Sequence, residues 1–233
     1  MKIIKKIAVV LIILSGTAIH LSGQTLKEKI DQTQEIKVYF RNADIVSKAN
    51  TETKFGTTIA GSGCENFKET IPMPAEYDNA LIHIIDLLNN GFHTKAFVAG
   101  NFSAINNLPF TSSGDLNWLR LGEPLAFFLS TSGAYYIRRS YGTSVRENTL
   151  EVESYLYVYS VDEGKLKSLG SKMLAWAKTE KIESDKCEDY AWFVKTFPVA
   201  SLAEPFKKIL VENTTDFIAK EMDKYEKAMK KKK

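Results

Sequence analysis

Residues 150–160 alternate strictly between two kinds of side chain, and this period of two limits the fold more than any other feature. Leu150, Val152, Leu156 and Val158, with Ser154 and Ser160 among them, point one way; Glu151, Glu153, Tyr155, Tyr157 and Tyr159 point the other. Successive side chains of a strand project to opposite faces. The run therefore predicts a strand over 149–161 with one aliphatic face and one tyrosine face. Asp162-Glu163-Gly164 supplies a turn, and 165–178 returns as its partner. Residues 134–146 read as a third strand, and 36–40, within 34–46, as an early one. Residues 94–99 read as a short strand, and 47–72, rich in Thr, Gly and Ser, as loop or weak strand.

Helical spacing appears in three places. Tyr77, Leu81, Ile84, Ile85 and Leu88 recur every three or four residues over 76–90, and Asn90-Gly91 is a suitable stop. Residues 116–129, with Trp118, Leu125, Phe128 and Leu129, read as a second helical region. The final helix opens at Ser201, with Glu204 at capping-box spacing and Pro205 in the first turn. Its stripe is Leu202, Phe206, Ile209, Leu210, Phe217, Ile218, Met222 and Tyr225. Strands in succession bracketed by helices predict an α+β domain. In it an antiparallel sheet carries helices on one face and is closed by a long C-terminal amphipathic helix. A single globular domain over 24–223 is expected, followed by a lysine-rich tail over 224–233.

Residues 1–23 have the parts of a secretory signal peptide: Lys2, Lys5 and Lys6, then an apolar run over 7–14, then small and polar residues to Gly23. The apolar run is shorter than the roughly 20 residues that span a bilayer. Cleavage is expected near Gly23, with retention as an anchor as the alternative. The expected location is thus secreted or periplasmic. Membrane association stays open, but no transmembrane helix is expected in the mature chain. Losing the three leader lysines leaves 28 bases against 28 acids, a net charge of zero. The last ten residues hold six lysines and one acid, so the body carries 22 bases and 27 acids, a net of −5. A nucleic-acid groove needs clustered cations on the fold itself, and this body does not supply them.

Export also decides how the two cysteines read. Cys64 and Cys187 are an even pair in an oxidising compartment, which points to one disulfide; two buried free thiols are the alternative. Motifs for chemistry are sparse. There is no G-x-S-x-G elbow and no phosphate-binding G-x-x-x-x-G-K-[ST]. His83 and His93 are ten apart without a specified third ligand, unlike the tight pairs of zinc enzymes. Glu151 and Glu153 stand two apart on one strand face, roughly 6–7 Å from each other, a separation near that of glycosidase carboxylates. Their bland reading is a solvated strand surface. No catalytic residue, metal or cofactor is expected.

The segment Gly133-Ala134-Tyr135-Tyr136-Ile137, followed by Leu150-Glu151-Val152-Glu153-Ser154-Tyr155-Leu156-Tyr157-Val158-Tyr159 and the turn to Leu166, resembles a recurring cell-envelope module. It is similar to the α/β modules of the curli-secretion CsgG and TolB amino-terminal type. In these a "GADYVV"-type strand precedes a hairpin, and a long amphipathic helix closes the unit. The order of elements matches over about 76–225, and individual residues only around 133–166. No lipidation cysteine follows the leader, unlike many such proteins. The resemblance implies a non-enzymatic envelope adaptor or assembly factor whose partner is a protein or other envelope component. Tyr155, Tyr157, Tyr159 and Tyr135 are the candidate binding surface, since tyrosine is large, fairly rigid and carries a hydroxyl. Cross-strand pairing that only stabilises the sheet is the competing role. Two further functions stay open. One is a small-molecule or lipid carrier with a cavity between sheet and terminal helix, lined by Phe127, Phe128 and Trp176. The other is a secreted hydrolase using Glu151, Glu153 or His83.

Overall fold

The computed structural model of the chain describes residues 24–50, 52–54, 57–60, 63–64, 66–77, 79–100, 123–139, 144–197 and 200–232. The leader, the 101–122 connection, Trp118 and Tyr141 lie outside the described residues. In order, the elements are α1 (Leu26–Gln32), β1 (Ile36–Asn50), β2 (Glu52–Lys54), β3 (Thr57–Ala60), β4 (Thr70–Ile71), a 3-10 turn (Ala75–Tyr77) and α2 (Asn79–Gly91). There follow β5 (Phe97–Ala99), β6 (Leu125–Arg139), β7 (Arg146–Asp162), β8 (Lys165–Lys178), β9 (Ile182–Ser184), α3 (Tyr190–Thr196) and α4 (Ala200–Lys231).

A seven-stranded sheet runs β4-β1-β6-β7-β8, with β5 also on β1 and β9 also on β7; β2 and β3 pair separately. The three long strands β6, β7 and β8 are antiparallel, whereas β1 lies parallel to both β5 and β6. The class is α+β, as the strand and helix pattern predicts.

β7 has the two faces its sequence predicts. Leu150, Val152, Ser154, Leu156, Val158 and Ser160 are all buried, and the residues between them from Glu151 to Tyr159 are half-exposed. Its buried face joins Phe127, Leu129, Tyr135 and Ile137 of β6 and Val38 and Phe40 of β1 in one core. Ile84, Leu88 and Phe92 of α2 and its end, Phe193 of α3, and Leu202, Phe206, Leu210 and Ile218 of α4 fill the same core. The helices therefore cover the aliphatic face. At Gly91 the Ile218 side chain of α4 packs so closely on the α2 backbone that a Cβ would lie 2.6 Å from Ile218 Cγ2. Any larger residue would force Ile218 to shift.

One expectation needs correction, and two features go beyond the sequence reading. Leu125–Leu129 is strand, not helix: the unbroken apolar run is the central start of β6, and such a run does not distinguish a buried strand from a buried helix. Residues 182–184 and 190–196 form β9 and α3, two short elements that the sequence patterns do not announce. The lysine-rich tail is the last part of α4, which continues helical to Lys231.

Cys64 and Cys187 are bonded, with Cα atoms 5.7 Å apart, inside the range disulfides span. The bond ties the loop after β3 to the segment before α3. That segment is held further by Asp189 capping α3, with its Oδ1 2.6 Å from Trp192 N, and by Tyr190 N donating to Glu69 Oε2 at 2.9 Å.

Tyr77 is fully buried, its ring edge-on to Phe206 at 5.3 Å between centroids. Its hydroxyl finds no hydrogen-bond partner among the described residues. Stripping water from a hydroxyl without replacing its bonds costs stability. Tyr77→Phe should therefore raise stability by about 1 kcal/mol, read as a higher melting midpoint. A lower midpoint would mean that the hydroxyl is bonded after all.

Candidate functional site

The second sheet face, opposite the helices, is built by strand register. Tyr157 stands between Phe128 of β6 and Ser171 of β8; Tyr155 between Ser130 and Met173; Glu153 between Ser132 and Trp176; Glu151 between Ala134 and Lys178. Met173 and Trp176 are 44% and 47% exposed, high for such large apolar side chains. Tyr155 stacks on Tyr157 at 6.2 Å, and Phe128 lies 6.1 Å from Tyr157. Tyr157 thus takes part in cross-strand packing. Tyr155, Met173 and Trp176 form the part of the patch that is offered outward. Tyr159 lies further along the same face, paired with Ala126 and Ser168.

Beyond Trp176 the face becomes charged. Glu151 takes ion pairs from Lys178 at 2.9 Å and Arg138 at 3.1 Å. The Arg138 guanidinium sits 4.1 Å from the centre of the Tyr136 ring, with Lys48 over the same ring at 5.6 Å. Burial alone would raise the Glu151 carboxyl, but Lys178 and Arg138 outweigh it and hold it below the usual range. A general acid needs the opposite, a carboxyl that keeps its proton near neutrality. Ser132 Oγ donates to Glu153 at 3.3 Å. Held as a carboxylate by its two cations, Glu151 is not suited to the acid's part in a glycosidase pair.

Tyr135 does not belong to this surface. It pairs with Leu150, which puts it on the helix-covered face, and it is fully buried. Its hydroxyl lies 2.9 Å from Asn148 Oδ1 and 3.1 Å from the Glu188 carbonyl oxygen. Its ring contacts Tyr190 and Phe193. It anchors α3 to the sheet. Tyr136, one residue on, is the tyrosine that shares the outer face.

The expected cavity lining also comes apart. Phe127 is buried against Phe97 on the inner face, while Phe128 and Trp176 stand on the outer one. A different hollow exists instead: a cleft of about 590 Å³ between α1, the ends of β7 and β8, and the C-terminal half of α4. His83 and His93 are solvent-exposed, on α2 and just past its end. The disulfide leaves no thiol for a cysteine nucleophile. No helix among the described residues is long and apolar enough to cross a membrane.

No known protein family and no curated protein matches the chain. Among solved structures it is similar to a Xanthomonas campestris protein of the DUF330 family, with 10% identity over 85% of this chain and 89% of that one and a TM-score of 0.34. A neuraminyllactose-binding hemagglutinin homologue from Helicobacter pylori shares 14% identity over 84% and 91%, with a TM-score of 0.31. The hypothetical protein CT253 from Chlamydia trachomatis shares 7% over 80% and 98%, with a TM-score of 0.35. Likeness this distant leaves function to be argued from the residues.

Proposed function

We propose that the protein is an exported, non-catalytic component of a cell envelope that works by binding another envelope protein through the outer face of its sheet. The carrying observation is the patch of Tyr155, Met173 and Trp176, with the large side chains of Met173 and Trp176 held exposed on rigid strands. Contiguous exposed apolar and aromatic side chains mark binding surfaces more often than isolated ones do. The flanking Arg138, Glu151 and Lys178 give the patch a charged rim, the usual anatomy of a protein interface. Export is supported by the leader-like residues 1–23 and by the disulfide, since such bonds persist in oxidising compartments. The resemblance of residues 133–166 to the CsgG and TolB amino-terminal modules agrees with an adaptor role.

The test is capture of envelope proteins from cells on the wild-type chain and on a Tyr155→Ser/Trp176→Ala variant. Both side chains are outside the core, so the melting midpoint should stay within the change of about 0.5 kcal/mol usual for surface substitutions. Recovery of the partner should fall by roughly tenfold or more, as expected when aromatic anchors are removed. Glu212→Ala, on the exposed side of α4, should change nothing. Equal recovery by the double variant would refute the proposal.

A further inference from the structure

We infer that the cleft between α1, β7–β8 and α4 is a binding site for a single-chain amphiphile with an anionic head group. It lies on the helix side of the sheet, away from the tyrosine face, and goes beyond the proposed partner surface. Its volume of about 590 Å³ falls within the range of roughly 300–1,000 Å³ typical of small-molecule sites.

The cleft follows from an irregular β8. Register slips between Val158 and Tyr159, where Gly170 and Ser168 face them and Leu169 is the extra residue. Such a bulge bends a strand and sharpens its twist. Gly170 adopts a φ of +146°, which side-chain-bearing residues rarely adopt, and a Cβ there would meet nothing within 4 Å. The sheet thus presents bare backbone opposite Val158, where a side chain would otherwise fill the space. Upstream, α4 is pinned to β8 by Asn213 Nδ2 donating to the Leu174 carbonyl oxygen at 2.7 Å. Past Phe217 the helix runs on to Lys231, and its residues Lys220, Glu221, Asp223 and Lys224 line the cleft together with the bulged part of β8. α1 closes the third side, held by Lys29 to Asp162 at 3.1 Å and by Glu28 to Lys232 at 2.6 Å.

The lining has the two parts that an amphiphile needs. Leu26, Leu156, Val158, Leu169 and Phe217 supply an apolar floor. At the rim, Lys172 and Lys220 share one carboxylate, Asp216, at 3.6 and 2.7 Å. The other lining charges pair one to one: Lys29 with Asp162, Lys224 with Glu221, and Asp223 with Lys227. One positive charge is therefore in surplus, and it sits at the Lys172–Lys220 pair. A chain laid over Leu156 and Val158 would place an anionic head there. A carboxylate and a phosphate both satisfy this chemistry, so a free fatty acid and a lysophospholipid are the two sources to separate.

Calorimetric titration of the purified native protein with dodecanoate, with lauroyl lysophosphatidylglycerol and with neutral dodecyl maltoside tests the site. One anionic amphiphile should bind per chain, with dodecyl maltoside at least roughly tenfold weaker. Binding of dodecanoate alone identifies the fatty acid as the source; binding of the lysolipid alone identifies the phospholipid. The Lys172→Gln/Lys220→Gln variant should weaken binding by roughly tenfold, because bonds to charged groups are among the stronger ones. Leu169→Trp, which fills the cleft, should abolish binding while the melting midpoint holds. Absence of binding by both anionic ligands, equal binding of the neutral one, or indifference to both variants would overturn the inference.

Discussion

Opening the Cys64–Cys187 bond should cost about 5 kcal/mol, the chain-entropy value for partners separated by 123 residues. That is comparable with the whole stability of many domains, about 5–15 kcal/mol. The effect is large because the bond closes a loop running through nearly the whole sheet, from the segment after β3 to the turn before α3. In the unfolded chain that closure removes many conformations. In the folded chain Cys64 is already buried and α3 already docked through Tyr135 and Phe193, so the bond asks little more of the native state. The measurement is denaturant unfolding of the native protein, of the reduced protein and of the Cys64→Ala/Cys187→Ala variant. Both altered forms should unfold at markedly lower denaturant, with the variant insensitive to reductant. An unchanged midpoint on reduction would mean that the bond does not form in the native protein, and the support it lends to export would go with it.

What could be read from sequence divides along the regularity of the strands. β7 runs through its described length without a break in the pairing with β6, so a period of two assigned all its faces correctly from Leu150 to Ser160. β8 has the bounds the sequence predicts, but bulges beside Leu169 and Leu174 interrupt the alternation. Trp176 consequently falls on the outer face, opposite Glu153, and not in a cavity. Tyr135 was misplaced for a related reason. Its face depends on the β6–β7 register, which pairs it with Leu150, and a slip of one residue would exchange the two faces of the strand.

The cleft was readable only in fragments. An isolated glycine inside a strand pattern signals a bulge, and Gly170 is one. The T-x-x-E spacing of Thr25 and Glu28 forms a complete capping box and starts α1, the third wall. No single-sequence pattern places that wall beside β8 and α4, because the contact is purely tertiary.

Alkali should unfold the protein steeply, and three buried tyrosines set the slope. Burial pushes the Tyr77 hydroxyl well above its ordinary value, with Tyr190 and Glu76 adding to it. Burial does the same at Tyr135, helped by Glu69, Glu188 and Asp189, and moves Tyr190 up to about 12, helped by Glu76. The folded state therefore retains protons that the unfolded chain gives up near pH 10. The stability these groups contribute is complete below that pH and is lost as pH rises through their folded values. Each approaches a cost of about 1.4 kcal/mol per pH unit once the unfolded tyrosine is fully ionised; since that side chain is only half ionised at pH 10, the three together remove about 3 kcal/mol between pH 10 and 11. Denaturant midpoints measured across that interval should fall accordingly, with tyrosinate absorbance rising at the unfolding transition. Tyr77→Phe should cut the slope by about one third while raising stability at neutral pH. A slope unchanged in that variant would show that Tyr77 ionises as easily in the folded protein as in the unfolded chain, and its hydroxyl would then have to be in contact with water.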